Sequence, residues 1–264
     1  MLHMERPEKN KLDALQQEAV SGVYTINKPK GITSHDVVDY MRRITSIRRI
    51  GHAGTLDPLA HGVLVVLVGR QYTKQQDVYM AGEKEYIAEI TFGKTSETYD
   101  AEGPFGEEAD HTAISAITKE MVEAVLPQFV GTIEQRPPAH SAIKVRGEAL
   151  YKKARRGDIT DDDIPMRTVT IDSIELLDFT PSTETAPLPR ARIIVCCQKG
   201  VYIRSLSHDI GQLVGTGAYM SDLQRTRVGE ATINQSTTLE EANTAIKEYC
   251  DDDSTNVLET IRTK

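Results

Sequence analysis

One carboxylate stands out among the residues that could do chemistry. Asp57 lies in the segment GHAGTLDPLAHG, between Leu56 and Pro58, among mostly small and apolar residues. The proline restricts the residue before it to extended conformations, so the presentation of the Asp57 side chain is constrained. A single aspartate in a loop is most often a turn former. A partly desolvated carboxylate paired with an arginine can instead act as a nucleophile, which makes Asp57 a candidate catalytic residue.

The segments on either side of Asp57 predict a helix before it and a buried strand after it. Thr33 and Ser34 can cap a helix over about 34–45, where apolar residues recur at helical spacing. The run GVLVVLV is unbroken and rich in β-branched residues, as is typical of a strand buried on both faces. We therefore expect this strand to hold the Asp57 loop against the core, where a carboxylate needs a cationic partner.

A second group of candidate positions lies later in the chain. The segment KEYIAEITFG predicts a long strand that carries Tyr86. In KGVYIRSLSHDIGQLVG, apolar spacing predicts a helix that begins near Ser205. Tyr202 and Arg204 then lie on the extended lead-in, where side chains two residues apart point the same way.

The remaining pattern indicates an α+β protein built around a mixed or largely antiparallel central sheet flanked by helices. We expect a short helix over 218–225, a strand over 227–234, and a final helix opened by a capping box of Thr238 and Glu241. Strands outnumber crossover helices and no internal repeat is present, which favours this class.

The predicted organisation is one main domain with appendages. We expect an N-terminal extension over 1–21, a catalytic domain over 22–234 and a C-terminal helix with an acidic tail over 235–264. Within the domain, residues from about 135 to 164 have the composition of a basic insertion.

The charge distribution points to a polyanionic partner although the net charge is −8, from 31 basic and 39 acidic residues. Between Arg136 and Arg156 there are seven basic residues and one acidic residue, and a second basic stretch covers 28–49. Such patches on an acidic body can steer a nucleic acid to one face, although a solvated helix face is the more common explanation. The candidate RNA-binding residues are Lys28, Arg146, Lys152 and Lys153.

Composition also argues against a membrane protein, a secreted protein and a protein built on disulfides or a metal site. No apolar run approaches the ~20 residues that a membrane helix needs. The N-terminus lacks a basic region followed by an apolar stretch, so a cytoplasmic location is expected rather than secretion. The three cysteines have neither disulfide nor metal-ligand spacing, so we expect three free thiols and no metal site.

Six motifs, in order and spacing, resemble the TruB family of pseudouridine synthases, which isomerise the T-arm uridine of tRNA. The resemblance runs from about 22 to 229. The matching segments are NKPKGITSHDVV, GHAGTLDPLAHGVL, KEYIAEITFGKTSETYDAEG, RPPAHSAIKVRGEALYKKARRG, KGVYIRSLSHDIG and GTGAYMSDLQRTRVG.

The resemblance implies roles for individual residues. Asp57 corresponds to the nucleophile and Arg204 to its ion-pair partner. Tyr86 corresponds to the tyrosine that stacks on the target base and is placed for proton transfer. The resemblance also implies that Tyr202 and Leu223 close the pocket around the base. His52 corresponds to a residue that helps hold the flipped-out nucleotide.

The resemblance further implies the pseudouridine synthase fold, no cofactor, and tRNA as the partner. Larger relatives continue into an RNA-binding PUA domain, which we do not expect here, and we therefore expect neither a guide RNA nor an obligate protein partner. Where relatives often carry two arginines after the pocket leucine, this chain has Gln224 and then Arg225. This departure predicts one weakened phosphate contact.

Two alternatives from other classes remain open at this point. One is a tRNA-binding or tRNA-folding protein whose catalysis is secondary or lost, which would not need Asp57. The other is an unrelated Asp-dependent hydrolase such as a glycosidase, which would need a second carboxylate opposite Asp57. Asp100, in TYDAEG, is the nearest candidate for that carboxylate by motif.

Overall fold

The computed structural model describes residues 7–141, 143–145, 147–160, 163–252 and 255–262. The chain divides into two compact units, each with its own internal contacts. Unit 1 consists of residues 1–85 and 224–264, and unit 2 of residues 86–223.

The secondary structure alternates short helices with strands of very different lengths. The strands are β1 (Gly22–Lys28), β2 (Ile50–Ala53), β3 (His61–Val68), β4 (Lys84–Phe92), β5 (Lys94–Ser96), β6 (Phe105–Glu108), β7 (Gly131–Gln135), β8 (Lys144–Val145), β9 (Glu148–Ala149), β10 (Arg167–Thr180), β11 (Arg190–Cys197), β12 (Ala218–Val228) and β13 (Ala231–Thr232). The helices are α1 (Ala14–Ala19), α2 (Ser34–Thr45), α3 (Arg70–Thr73), α4 (Gln76–Ala81), α5 (His111–Ser115), α6 (Lys119–Val125), α7 (Leu150–Arg156), α8 (Ile203–Val214), α9 (Leu239–Asp252) and α10 (Thr255–Ile261), with 3-10 turns at Leu126–Phe129 and Ile233–Gln235.

In unit 1, β3 is the central strand. It pairs antiparallel with β1 and with β2, and in parallel with β12, where Arg225 lies opposite Gly62. Every residue of β3 after His61 is buried, which confirms the strand that the run GVLVVLV predicts. The core on one side of β3 is aliphatic and consists of Val23, Ala53, Val63, Val65, Leu67, Val228 and Ala231.

The parallel pairing of β3 with β12 depends on a glycine. Gly62 has φ +98, and a Cβ at this position would lie 2.3 Å from the carbonyl oxygen of Arg225. No side chain fits at that distance, and a positive φ is readily adopted only by glycine. Gly62 therefore lets the backbone of β12 approach the start of β3, at the end of the Asp57 loop.

In unit 2, the strands are ordered β12, β4, β11, β10 and β7. The long strand β10 is antiparallel to both β11 and β7, and α6 packs against α8. Together with the parallel and antiparallel pairs of unit 1, this arrangement confirms the predicted α+β class with a mixed sheet flanked by helices.

The predicted helix over 218–225 is wrong, because these residues belong to the strand β12. Ala218, Met220, Leu223 and Arg225 are all buried along this strand. A buried arginine breaks the apolar alternation by which a strand is recognised. Sheet pairing on both sides of β12 decides the conformation, against the local pattern.

The predicted start of the helix near Ser205 is also wrong, by two residues. Helix α8 begins at Ile203, with Tyr202 as its N-cap residue, so Arg204 lies in the first helical turn. Tyr202 and Arg204 therefore do not share one face of an extended segment. Ile203 is buried, and its burial extends the helical apolar face further toward the N-terminus.

Other local predictions are confirmed. Helix α2 is capped by Thr33 and spans 34–45 as predicted, and Thr238 and Glu241 form the predicted capping box at α9. No helix within the described ranges is both long enough and apolar enough to cross a membrane.

Candidate active site

The Asp57 loop connects β2 and β3 in unit 1, and both neighbours of Asp57 are fixed by hydrogen bonds. The hydroxyl of Ser34 accepts from the N–H of Leu56 at 2.8 Å and donates to the carbonyl of Leu56 at 2.9 Å. The N–H of Gly31 donates to the carbonyl of Pro58 at 2.8 Å. Asp57 itself is half-buried, so its carboxylate is held on an anchored backbone and keeps contact with solvent.

Lys28 shapes the turn that supplies the Gly31 contact. Its ammonium group donates to the carbonyls of Pro29 at 2.9 Å and Ile32 at 2.7 Å. The residue has no exposed surface. The structure thus places this predicted RNA-binding residue inside unit 1, where its charge is directed at the backbone of the turn.

His52 lies on β2 and is half-buried. Burial lowers the pKa of its imidazole, and the positive charges of Arg225 and His35 lower it further. A histidine with a lowered pKa is neutral at physiological pH. Its Nδ1 is buried and has no hydrogen-bond partner among the described residues. The ring therefore offers an unused polar atom beside the Asp57 loop.

In unit 2, Arg204 is only 7% exposed and is held by Asp100 and by backbone carbonyls. Its Nη1 lies 3.3 Å from Oδ2 of Asp100 and donates to the carbonyl of Thr98 at 3.2 Å. Its Nη2 donates to the carbonyl of His140 at 3.0 Å. The guanidinium is consequently fixed in one orientation.

Asp100 is a residue of this site that sequence reasoning assigned differently. It is buried, and its Oδ1 accepts from the hydroxyl of Thr98 at 2.6 Å and from the N–H of Glu102 at 3.0 Å. With its other oxygen beside Arg204, this carboxylate is the counter-charge of an arginine. Both of its oxygens are thus engaged by Arg204, Thr98 and Glu102, whereas the acid of a glycosidase must be available to protonate the leaving group.

Gln135 fixes the start of helix α8. This buried side chain accepts from the N–H of Tyr202 at 2.8 Å and donates to the carbonyl of Tyr202 at 3.1 Å. One turn later, the hydroxyl of Ser205 donates to the carbonyl of Arg136 at 2.7 Å. The backbone of half-buried Tyr202 is thereby tied to the end of β7, where the basic insertion begins.

Two more predicted pocket residues lie on strands of unit 2. Tyr86 is half-buried on β4, on the same side of the strand as the buried residues Ala88 and Ile90. Leu223 is buried on β12. Their roles toward a base stay predictions, as does the pairing of Asp57 with Arg204.

Part of the positive charge of the basic insertion is neutralised within it. Arg156 donates two hydrogen bonds to the carboxylate of Glu148, at 2.7 and 3.0 Å, and one to Asp158 at 2.6 Å. These acceptors raise the pKa of the Arg156 guanidinium. The field that the insertion presents is therefore weaker than the count of its basic residues suggests.

The other predicted RNA-binding residues of the insertion are only partly covered by the structure. Lys153 lies on α7 and is half-buried. Arg146 and the side chain of Lys152 lie outside the described residues.

Comparison with protein families decides the relationship. Residues 42–203 match the TruB family pseudouridylate synthase N-terminal domain, a match that includes Asp57, Tyr86 and Tyr202. The chain belongs to the TruB family. Residues 204–262 match the C-terminal domain of tRNA pseudouridylate synthase B.

Curated members of the TruB family match over most of this chain. The chain is 43% identical over 227 residues to a tRNA pseudouridine synthase B of Carboxydothermus hydrogenoformans, covering 86% of this chain and 76% of the relative. It is 44% identical over 229 residues to a protein of the same name from Symbiobacterium thermophilum, covering 86% and 73%.

This TruB-family chain has the same fold as a chain in a solved structure. A chain in the crystal structure of a Cbf5-Nop10-Gar1 complex matches with a TM-score of 0.69 at 27% identity. The match covers 93% of this chain and 61% of that chain. The likeness confirms the pseudouridine synthase fold that the sequence motifs imply.

Proposed function

We propose that this chain isomerises a uridine in the T arm of tRNA to pseudouridine, with Asp57 as the nucleophilic carboxylate. The observation that carries this proposal is the bracketing of Asp57 by two anchored residues. Leu56 is held by Ser34, the first residue of helix α2, and Pro58 is held by Gly31 in the turn before that helix. A reactive group fixed in this way loses little entropy when it reaches its target.

The reaction needs the target uridine to leave the helical stack. A base in a paired and stacked arm cannot present its glycosidic carbon to a carboxylate, and its extrusion costs a few kcal/mol. Stacking on an aromatic ring returns about 1–3 kcal/mol. We assign this stacking to Tyr86, with Leu223 and Tyr202 closing the pocket.

The uridine and the pseudouridine are isomers, so the reaction needs no second substrate. The bond between N1 and C1′ breaks, the uracil rotates while bound, and a bond forms between C5 and C1′. C5 then loses its proton, and N1 carries one in the product. We assign the nucleophile to Asp57 and assistance in proton removal at C5 to Tyr86.

Arg204 and His52 complete the proposal. A buried guanidinium that is already fixed by Asp100 can orient a second carboxylate with little further ordering, so we assign Arg204 as the partner of Asp57. His52 offers a buried and unused Nδ1, which suits a hydrogen bond to the flipped nucleotide. The cations of the insertion supply phosphate contacts in this proposal, and a cytoplasmic location, with no guide RNA or obligate protein partner, stays a prediction from the sequence.

The proposal is tested with an unmodified tRNA transcript and purified protein, by mapping pseudouridine along the whole RNA. We expect product at the T-arm uridine alone, and also in an isolated T-arm stem-loop. A transcript with cytidine at that position and an anticodon stem-loop serve as controls and should give none. Product elsewhere, or no product in the T arm, would contradict the assignment.

A tRNA-folding protein without essential chemistry gives a different result in cells. If an Asp57→Ala variant rescued a strain that lacks its own T-arm pseudouridine synthase as well as the unmodified chain does, this second function would be favoured. We expect no return of pseudouridine with this variant. An Asp39→Ala variant is the matched control, because Asp39 is an exposed carboxylate on α2.

A further inference from the structure

Arg225 links the two ends of the Asp57 loop. It lies on β12 within unit 1 and is 1% exposed. Its Nε donates to the carbonyl of Val63 at 2.7 Å, and its Nη2 donates to the carbonyl of Gly54 at 2.9 Å. Gly54 directly follows β2 and Val63 lies near the start of β3, so a single side chain bonds the backbone on both sides of the loop.

The chain around Arg225 leaves room for this arrangement. Gly54 has φ +90, and a Cβ there would lie 3.3 Å from Nη1 of Arg225. A planar guanidinium with several donors in a fixed geometry can reach two carbonyls at once, whereas the ammonium of a lysine is a single point. The contact is therefore specific to arginine.

The charge of Arg225 has no carboxylate partner within the described part of the chain. Burying a cation without a counter-charge is costly, and a hydrocarbon side chain of similar volume would often be more stable. Stability alone therefore does not account for an arginine here. Its charge also reaches His52, whose pKa it lowers.

The sequence motif drew attention to the position before Arg225. Because Gln224 stands where relatives often carry the first of two arginines, the motif predicts one weakened phosphate contact. Arg225 is buried and donates to backbone carbonyls, so its contacts lie inside the protein and not at an RNA-binding surface.

We propose that Arg225 is a positioning residue for the pseudouridine reaction, because it ties the two ends of the Asp57 loop together and so holds the carboxylate in its reactive orientation. This inference rests on the proposed function. Ser34 and Gly31 fix the neighbours of Asp57 from one side, and Arg225 closes the base of the loop.

The test compares Arg225→Lys, which keeps the charge, with Arg225→Met, which removes it. The matched control is Arg227→Met on the same strand, because Arg227 is partly exposed and paired with Glu83. For each protein, kcat and KM are measured with a tRNA transcript. Amide exchange at Leu56 and Ala60 and the titration of His52 are followed by NMR.

We expect both Arg225 variants to lose at least about tenfold in kcat, with KM for the transcript within about twofold, because misplacement of a reactive group reduces the chemical step. The amides of Leu56 and Ala60 should exchange faster in both variants. The His52 pKa should stay low in Arg225→Lys and rise in Arg225→Met. Arg227→Met should resemble the unmodified chain in all four measurements.

An unchanged kcat in Arg225→Lys with faster loop exchange would overturn the proposal, since the loop would then not need the link. Equal losses of amide protection throughout unit 1 would also overturn it, because the role would be structural. If the unmodified chain made no pseudouridine, the proposed function would fail. The loop exchange and the His52 titration would still report separately whether Arg225 closes the loop.

Discussion

Two buried arginines of this chain, Arg204 and Arg225, are stabilised by different kinds of partner. Arg204 in unit 2 has a carboxylate partner, Asp100, and two carbonyls. Arg225 in unit 1 has carbonyls as its hydrogen-bond acceptors and lies near a neutral histidine, His52. The charge of Arg204 is therefore balanced by an adjacent carboxylate, whereas the charge of Arg225 is stabilised by the dipoles of backbone carbonyls.

The two arginines also have different proposed roles, since Arg204 is assigned to orient Asp57 and Arg225 to close the Asp57 loop. The ion pair of Arg204 is expensive to break, because Asp100 would be left as a buried charge. Removing Arg225 leaves carbonyls unsatisfied but also removes a buried cation, so the two effects oppose each other. The two sites should therefore respond differently to the same substitution.

The largest effect is expected for Arg204→Met. The free energy of unfolding should fall by about 3–5 kcal/mol, because the substitution leaves the buried Asp100 carboxylate without its cation. Urea denaturation measures this loss. Arg192→Met on β11 is the control, since Arg192 is exposed, and should change stability by less than about 0.5 kcal/mol.

A smaller effect is expected for Arg225→Met. Its unfolding free energy should fall by about 1–3 kcal/mol, which is the cost of carbonyls left without donors. The same urea measurement compares the two variants directly. A loss at Arg225 equal to or larger than that at Arg204 would contradict the distinction between a paired and an unpaired arginine.

A half-buried carboxylate, Asp209 on α8, adds a pH dependence to stability. Burial raises its pKa to about 6 from 3.8, and the nearby Arg136 partly offsets this rise. Between these values the folded state binds more protons than the unfolded state, so this residue contributes stability at low pH that is lost as pH rises through 6. Asp209→Asn should therefore be more stable than the unmodified chain by ~1 kcal/mol at pH 7.5, after allowance for solvent screening.

That gain should shrink as the pH is lowered toward 4, which thermal unfolding at several pH values measures. His52 acts in the other direction, because its lowered pKa makes the folded state lose stability as pH falls below about 6.5. An Asp209→Asn gain that grew on acidification would contradict the assignment.

The smallest effect is expected at the exposed cluster of Arg156, Glu148 and Asp158. Water and salt screen exposed ion pairs, so Arg156→Ala should leave the midpoint of urea denaturation close to that of the unmodified chain. A loss comparable to that of Arg204→Met would show that exposure does not decide the cost of breaking an ion pair.

The sequence was most informative where one segment alone determines the structure. The apolar run of β3 and the cap and spacing of α2 predicted both elements, and the motifs predicted the family. Prediction from the sequence was wrong where contacts between segments far apart in the chain determine the local conformation. The local pattern predicts a helix where strand β12 lies, because Arg225 interrupts the apolar alternation, and pairing with other strands makes the segment extended.

The same limit applies to the candidate site. Asp57, Tyr86 and Arg204 were identified from motifs, whereas the link between Asp100 and Arg204 joins residues that are far apart in sequence. Lys28 was selected by charge alone, and its burial depends on the turn that it bonds. Residue type indicates what a side chain can do, but burial and partners come from tertiary structure.

The central claim is that Asp57 carries the chemistry, and Asp57→Asn tests it most directly. This substitution keeps the size of the side chain and removes its charge. With excess enzyme over a T-arm stem-loop, the unmodified chain should convert the uridine completely, while the variant should bind the RNA within about threefold and form no pseudouridine above background. Product formed by Asp57→Asn at the rate of the unmodified chain would contradict the account.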